Sequence, residues 1–119
     1  MSVYVDQERN QFGRMVMCHM FADSLAEHFA MADAIGMDRD WFQPLSFPHY
    51  DVRLSRRARA LELGAVEVDR RQGYEIRKRK REQGWSDAEL AEIRAALPAY
   101  DARKAKDRSL TPIVTQGEV

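Results

Sequence analysis

The amino-acid sequence predicts an α/β fold, with a small, mostly parallel or mixed sheet of about four strands, flanking helices and a helical C-terminal extension. Short segments rich in β-branched and aromatic residues recur over the first 70 residues, as is typical of strands. Two of them are each followed by a serine, an amphipathic segment and a glycine. This order favours consecutive β–α units, with right-handed crossovers if the strands are parallel. We therefore predict a compact domain at residues 1–70 and a basic helical extension, ending in a loose tail, at residues 71–119.

Four segments are predicted strands, at residues 3–6, 14–21, 49–54 and 65–69. The second is almost wholly apolar, which suits a strand covered on both faces. Because side chains alternate between the faces of a strand, Cys18 and His19 point in opposite directions and cannot bind one metal ion together. We interpret Cys18 as a buried thiol of the core.

The third strand has one apolar face and one ionisable face. Tyr50 and Val52 lie on the apolar face, which is expected to pack into the core. His49, Asp51 and Arg53 lie on the other face, which is either exposed to solvent or part of a site. Residues 7–13 are predicted to form a loop or a single helical turn, since they are polar and end in a glycine.

Helices are predicted where capping residues precede a helical apolar period. Ser24 and Glu27 match a capping box, and the helix is expected to end near Gly36 with a packed, structural His28 on its inner face. Ser55 is expected to cap a second helix, at residues 56–63. A mostly polar, basic helix at residues 70–83 is followed by a capping box at Ser86 and by a helix that Pro98 ends or kinks.

The loop at residues 37–48 is rich in aromatic residues and contains two prolines. Its rings include Trp41, Phe42 and Phe47, and large rings of this kind either close the end of a core or line a pocket. Both roles are compatible if the loop covers the strand ends.

Composition limits the class of protein. The net charge is zero, yet the first 50 residues are acidic and the remainder is basic. The single cysteine excludes an internal disulfide and favours a cytoplasmic location. The sequence has no leader-like segment and no long apolar run, so no membrane association is expected.

The order of several short motifs resembles a known family. The motifs are Val3-Tyr4-Val5-Asp6, Gly13 to Met20 with Ala22-Asp23, Ala30 to Asp33 with Ile35-Gly36, His49-Tyr50-Asp51 with Ser55 and Arg57-Ala58, and Gly64 to Glu67. Together they resemble the bacterial and phage family catalogued as domain of unknown function 4031, over about residues 2–70. The resemblance implies a domain boundary and a cytoplasmic prokaryotic or phage context, and it assigns no catalytic residue.

An enzyme is the first functional hypothesis, as a hydrolase or phosphodiesterase acting on a phosphate-containing substrate. Histidines exchange protons near neutral pH, carboxylates orient them or hold a divalent metal, and arginine binds phosphate with two hydrogen bonds. The catalytic candidates are His49, Asp51, His19 and Asp6, and the substrate-binding candidates are Arg14, Arg53, Tyr50 and Trp41. A divalent metal, if present, would be held from among Asp6, His19, Asp23, His49 and Asp51.

Each of these residues also has a purely structural interpretation. The structural interpretation is favoured for both strand residues, with Asp6 as the start of a turn and His19 as a hydrogen-bonded core histidine. No short metal-binding motif and no glycine-rich phosphate loop is present in the sequence. The His-Tyr-Asp strand at residues 49–51 is the stronger prediction. The enzyme hypothesis requires His19 and His49 to lie within hydrogen-bonding or metal-sharing distance.

Two other hypotheses depend on the C-terminal half. The basic residues Arg77, Lys78, Arg79, Lys80 and Arg81 could lie along nucleic-acid phosphates, in a contact that is mostly independent of sequence. Alternatively, the narrow apolar stripes of the two last helices could pair in a homo-oligomer or dock on another protein, with Trp85 as an anchor.

Overall fold

A five-stranded mixed sheet with α-helices packed against it forms the protein, and this confirms the predicted α/β class. The structure is a computed structural model that describes the backbone of residues 2–110 and the side chains of residues 2–106. Its strands are β1 (Val3–Val5), β2 (Asn10–Phe12), β3 (Met15–Ala22), β4 (Tyr50–Arg53) and β5 (Val66–Glu67). Its helices are α1 (Leu25–Ala34), α2 (Leu54–Glu62), α3 (Arg70–Gln83) and α4 (Asp87–Leu110), with a short 3-10 helix at Arg39–Trp41. The predicted loose tail lies outside the described residues.

Strand β3 is the centre of the sheet. It pairs antiparallel with β4 on one edge and with both β1 and β2 on the other, while β5 runs parallel to β1. The two histidine-bearing strands are therefore antiparallel neighbours and not successive parallel strands of a β–α repeat. The reason is the long loop at residues 37–48, which follows α1 and carries the chain back to the end of β3 from which α1 began.

The segment at residues 7–13 is not only a loop, because residues 10–12 form strand β2. Gly13 adopts a φ of 61°, and the tight turn at residues 13–14 folds β3 back on β2. Little in the sequence indicates this strand, because all three of its residues are exposed and no apolar alternation marks it.

Some of the predicted helix ends are confirmed and others are wrong. Ser24 accepts a hydrogen bond from the Glu27 backbone, and Ser86 and Glu89 form the predicted reciprocal capping box. Ser55 is not a cap, since α2 begins one residue earlier and its N-cap residue, Arg53, makes no side-chain capping bond. Pro98 does not end α4, which continues through it.

The main core lies on one face of the sheet. Cys18, Met20, Tyr50 and Val52 are fully buried there and pack with residues of α1 and α2. Burial raises the pKa of the Cys18 thiol to about 11, as fits the predicted core thiol. His28 is also buried in this layer, with its Nε2 within 3.0 Å of the Met20 carbonyl oxygen, which confirms its structural role.

Helices α3 and α4 pack against the sheet and its buried clusters. Phe21, Phe47 and Val68 form a second buried cluster, and Gly73 of α3 allows the helix to approach it closely. Trp85 packs against both clusters, and Ile93 and Ala96 of α4 pack against the main core. Among the described residues, the segment from residue 71 onwards is thus in contact with the predicted compact domain. At least part of the apolar stripe of α4 therefore packs against the core of the same chain.

The buried His28 predicts a pH dependence of stability. Burial lowers its pKa from an ordinary value of 6.5 to about 3, so that between these values the unfolded chain binds a proton that the folded chain does not. The free energy of unfolding therefore falls as the pH falls below about 6.5, with a contribution of about 2 kcal/mol between pH 7 and pH 5. Urea denaturation of the unmodified protein and of His28→Gln, each at pH 7 and at pH 5, measures this contribution. Between these pH values the free energy of unfolding should fall by about 2 kcal/mol less in the variant than in the unmodified protein. Equal falls in the two proteins would contradict the prediction.

Candidate functional site

The pairing of β3 with β4 brings the predicted histidines together. His19 lies directly opposite Asp51 in the antiparallel register, and His49 lies two residues before Asp51 on the same face. Tyr50 and Val52 are fully buried on the opposite face of this strand. The alternation predicted from the sequence therefore holds, and it directs His19, Asp51 and His49 away from the core.

A bulge in the chain opposite His19 positions Asp6. Between the pairs Val5–Met20 and Asn10–Met17, residues 6–9 face only Cys18 and His19, so two residues are in excess. The Asp6 carboxylate occupies the resulting gap and accepts hydrogen bonds from the backbone N–H groups of His19, at 2.9 Å, and Glu8, at 3.1 Å. Bulges commonly redirect side chains next to active sites.

Both histidines are held through Nδ1. His19 Nδ1 lies 2.7 Å from Asp6 Oδ2, and His49 Nδ1 lies 2.7 Å from the backbone carbonyl oxygen of Phe47. A carbonyl oxygen only accepts, so His49 Nδ1 donates, and an ionised Asp6 carboxylate likewise accepts the proton of His19 Nδ1. In the neutral form of both rings, Nε2 then has a free lone pair on the side of Asp51.

Asp51 completes the group, which we call the His-Asp cluster (His19, His49 and Asp51, with Asp6 behind His19). Its Oδ1 is 3.7 Å from His19 Nε2 and 3.5 Å from His49 Nε2, and its Oδ2 accepts a 2.7 Å hydrogen bond from Gln43. The two imidazole rings lie edge to face with centroids 5.3 Å apart. The distance condition of the enzyme hypothesis is thereby met.

Electrostatics within the cluster favour the ionised carboxylates. Burial alone would raise the pKa of Asp6 and of Asp51, but contacts of Asp6 with His19 and of Asp51 with His49 and Gln43 lower both below their ordinary values. The hydrogen bond to Asp6 raises the pKa of His19 against an opposing effect of burial. Asp51 thus remains negatively charged at neutral pH, as a candidate metal ligand would need to be.

The donor set fits a divalent metal ion. One ligand atom from each of His19, His49 and Asp51 lies within 4.8 Å of the others. Metal–ligand bonds of about 2.0–2.2 Å place neighbouring ligands about 3.0–3.5 Å apart, so a small contraction would complete the site. The Nδ1 partners of both rings are the second layer of contacts that normally orients metal-binding histidines. Three protein ligands would leave positions open for water or substrate.

A cleft of about 310 Å³ opens beside the cluster, lined by three arginines and three carboxylates, and we call it the arginine cleft. The sheet and its loops supply one wall, and helix α3 supplies basic side chains to the other. Its charged and histidine lining residues are Asp6, Glu8, His19, His49, Asp69, Arg70, Arg77 and Arg81.

The arginines of the cleft differ in how closely carboxylates approach them, and Asp6 and Glu8 act on Arg77 only at longer range. Arg70 pairs with Glu8 at 3.6 Å, whereas Arg77 and Arg81 have no ion pair with any carboxylate in the described part of the chain. Their guanidinium groups lie over the rings of Phe21 and Phe47 instead, at 5.1 and 5.4 Å from the ring centroids. The cleft therefore presents two guanidinium groups without an ion pair next to the histidines.

The comparison with protein families agrees with the motifs of the sequence. The model of the family described as protein of unknown function (DUF4031) matches residues 3–80, which is more than half of the chain. The protein belongs to this family. No curated protein and no solved structure matches it.

The DUF4031 match continues to residue 80, beyond the resemblance seen in the sequence, and includes most of helix α3. Arg70 and Arg77 therefore fall inside the family region, together with the whole His-Asp cluster. The basic helix is not an addition outside the family, as the shorter resemblance suggested. None of the helices at residues 2–110 is long and apolar enough to cross a membrane.

The other predicted site residues lie in different places. Asp23 accepts hydrogen bonds from the Ser2 backbone and the Tyr4 hydroxyl, so it anchors the first strand and is not one of the three grouped ligands. Tyr50 is fully buried on the core face, where burial raises its pKa to about 12. Arg14 is exposed at the β2–β3 turn and lines neither described cavity.

Two substrate-binding candidates share a second cavity. Trp41 and Arg53 line a recess of about 450 Å³ that also includes Asp51 and Gln43. The aromatic loop at residues 37–48 has both expected roles, since Phe42 and Phe47 are buried while Trp41 is 46% exposed.

The basic residues of α3 divide between two surfaces. Arg77 and Arg81 line the arginine cleft, and Lys80 lies over the Trp85 ring at 4.4 Å. Lys78 and Arg79 are exposed and line neither described cavity. Two of the five residues predicted for nucleic-acid contact therefore lie beside the histidines. The enzyme hypothesis and the nucleic-acid hypothesis thus share part of one site.

Sequence reasoning missed two groups that the loop at residues 37–48 supplies. Gln43 holds Asp51, and the Phe47 carbonyl orients His49. A lone glutamine in a loop and a backbone carbonyl belong to no periodic pattern of side chains. No signal in the sequence could have assigned them.

Sequence reasoning also missed Arg57, which is buried beneath the cluster. Arg57 donates to the Asp6 carbonyl oxygen at 3.0 Å and pairs with Glu67. It lies three residues before Ala60 and four before Leu61, a helical spacing that places it on the inner face of α2. That position was a usable signal, because a buried arginine requires polar partners nearby.

The cluster predicts metal binding that depends on Asp51 and His49. Isothermal titration with Zn²⁺ or Mn²⁺ should show one site in the protein, and His49→Gln or Asp51→Asn should weaken binding by at least about 100-fold because each removes a ligand. Asp6→Asn should weaken it by about 10–100-fold, since Asp6 acts only by orienting His19.

Asp23→Asn is the matched control for this titration, because Asp23 was also a candidate ligand but lies outside the cluster. It should bind metal as tightly as the unmodified protein. Equal affinities for all four variants would contradict the metal site.

Proposed function

We propose that this protein is a cytoplasmic, divalent-metal-dependent hydrolase of phosphate esters, with a nucleotide or nucleic acid as its substrate. The observation that carries the proposal is the convergence of two histidines and one carboxylate at the edge of a cleft in which Arg77 and Arg81 have no ion pair. The first feature suits a metal ion, and the second suits a bound anion. The single cysteine, which is unpaired and buried, supports a reducing compartment.

The cluster residues have distinct roles in this proposal. His19, His49 and Asp51 would hold the metal, and Asp6 keeps the His19 ring oriented with Nε2 towards it. A metal bound there would supply an activated water and would polarise the phosphoryl oxygen. Gln43 fixes the second oxygen of Asp51, so the carboxylate does not rotate when substrate enters.

Arg77 and Arg81 are the proposed phosphate-binding residues. They lie one helical turn apart on α3, and like charges in this arrangement repel each other. Neither is in an ion pair among the described residues, although Asp6 and Glu8 attract Arg77 at longer range. A bound phosphate would relieve the repulsion and accept hydrogen bonds from both. Burial lowers the pKa of the Arg77 guanidinium, which still remains charged at neutral pH.

The same donor set of two histidines and one carboxylate also suits iron(II) enzymes that activate oxygen. The arginine cleft favours the phosphate reaction, since its two guanidinium groups without carboxylate partners lie beside the cluster. Binding of nucleic acid without catalysis is the alternative proposal, and it would use Lys78 and Arg79 as well as the cleft. A homo-oligomer formed through the C-terminal helices also stays a prediction.

The proposed activity predicts that substitutions in the His-Asp cluster lower kcat, whereas substitutions of the arginines raise KM. With Mn²⁺ or Zn²⁺ present, hydrolysis of a chromogenic phosphodiester should fall by more than about 100-fold in kcat for His49→Gln. Arg77→Gln and Arg81→Gln should raise KM by about tenfold each, because each removes a charge-assisted contact to phosphate.

Lys78→Gln and Arg79→Gln serve as controls, since they remove the same charge from the exposed side of the same helix. They should leave both kinetic constants unchanged. The proposal fails if hydrolysis persists unchanged in EDTA or in His49→Gln.

A further inference from the structure

A second recess lies on the same face of the sheet as the His-Asp cluster, and we call it the aromatic pocket. Its volume is about 450 Å³, and its lining includes Phe12, Met15, Met17, Trp41, Asp51 and Arg53. Phe12 of β2 pairs with Met15, and Met17 pairs with Arg53, so these side chains share one surface of the sheet. The recess falls in the size range of pockets that hold small molecules.

The aromatic pocket is continuous with the cluster through Asp51. The carboxylate lies within 3.7 Å of both histidines, which line the arginine cleft, and it lines the aromatic pocket itself. Gln43, its hydrogen-bond partner, lines the same pocket. A group bound at the cluster therefore has the arginine cleft on one side and the aromatic pocket on the other.

The aromatic rings of the pocket are exposed, and Trp41 also lies near an arginine. Phe12 is 60% exposed and Trp41 is 46% exposed. The guanidinium group of Arg56 lies 5.8 Å from the Trp41 ring centroid and donates to the backbone carbonyls of Ile35 and Gly36. Trp41 thus contacts Arg56 and still has a partly exposed ring on which a base can stack.

The rim of the pocket is basic. Arg103 of α4 donates to the carbonyls of Asp40 and Phe42 and so ties this helix to the 3-10 helix. Arg53 is exposed, and no hydrogen bond or ion pair joins its side chain to the described part of the chain. An apolar, aromatic floor with a cationic rim is complementary to a base attached to phosphates.

We propose that the aromatic pocket binds one unpaired nucleobase of a single-stranded nucleic acid whose adjacent phosphodiester lies at the His-Asp cluster. This inference deepens the proposed function and rests on it for the position of the phosphodiester. Aromatic stacking on Trp41 and Phe12 would hold the base, Arg53 would contact a phosphate, and the nucleic acid would continue over Arg77 and Arg81. A base stacked inside a duplex cannot enter such a recess, so single strands are preferred.

The substrate class follows from the two-sided geometry. A phosphate monoester without a base can occupy the arginine cleft but has no group to place in the aromatic pocket. A diester with a base on one side uses both recesses, with its phosphorus atom between them. Phosphodiesters of single-stranded nucleic acid are therefore the substrates that match both sides of the site.

Binding of a short single-stranded oligonucleotide tests the inference. Fluorescence anisotropy is measured in EDTA, so that no turnover occurs and the result does not depend on the metal. A labelled trinucleotide should bind about tenfold more tightly than a trinucleotide of the same charge that lacks its central base. Trp41→Ala should abolish this preference by weakening only the base-containing ligand, and Trp41→Phe should restore it in part because a ring is retained.

Tyr74→Ala is the matched control, since Tyr74 is 52% exposed on α3 and lines neither described cavity. It should leave the preference intact. Equal binding of the two ligands to the unmodified protein, no binding of either, or an unchanged preference in Trp41→Ala would each overturn the inference. If the metal titration fails but the base preference is retained, only the proposed hydrolase is overturned.

Discussion

Antiparallel pairing of β3 with β4, in one particular register, creates the candidate site. It places His19 opposite Asp51 on one face and Met20 opposite Tyr50 on the other. The core side chains of these two strands are fully buried, and burial of an apolar side chain of this size contributes about 1.5–3 kcal/mol. A slip of one residue would turn these side chains to the opposite face, so the core fixes the position of the cluster.

The bulge beside His19 adds a second constraint. Residues 6–9 contain two more residues than the opposing strand accommodates, and the Asp6 carboxylate takes over part of the missing backbone pairing. The same carboxylate orients the His19 ring, while Arg57 holds the Asp6 carbonyl from the core side. A buried carboxylate is tolerated there because hydrogen bonds satisfy both of its oxygens. One residue therefore provides both structural support and the orientation of a proposed ligand.

Local elements and strand faces were predictable from residue order alone. The alternation of β3 and β4 follows from it, as do the caps at Ser24 and Ser86 and the structural role of His28. Strand β2 was not predictable, since its residues are all exposed and carry no apolar period. The start of α2 was also misplaced, because this helix begins without a side-chain cap and Ser55 lies inside it.

Which side chains meet was settled by the three-dimensional fold. The pairing of β3 with β4 depends on the path of the loop between α1 and β4, and this path brings Gln43 to Asp51. Asp23 lies outside the cluster, where it binds the first strand. The docking of α3 through Gly73 places three of its arginines in the cleft. These contacts join residues far apart along the chain, or involve the backbone, and local residue patterns carry no information about them.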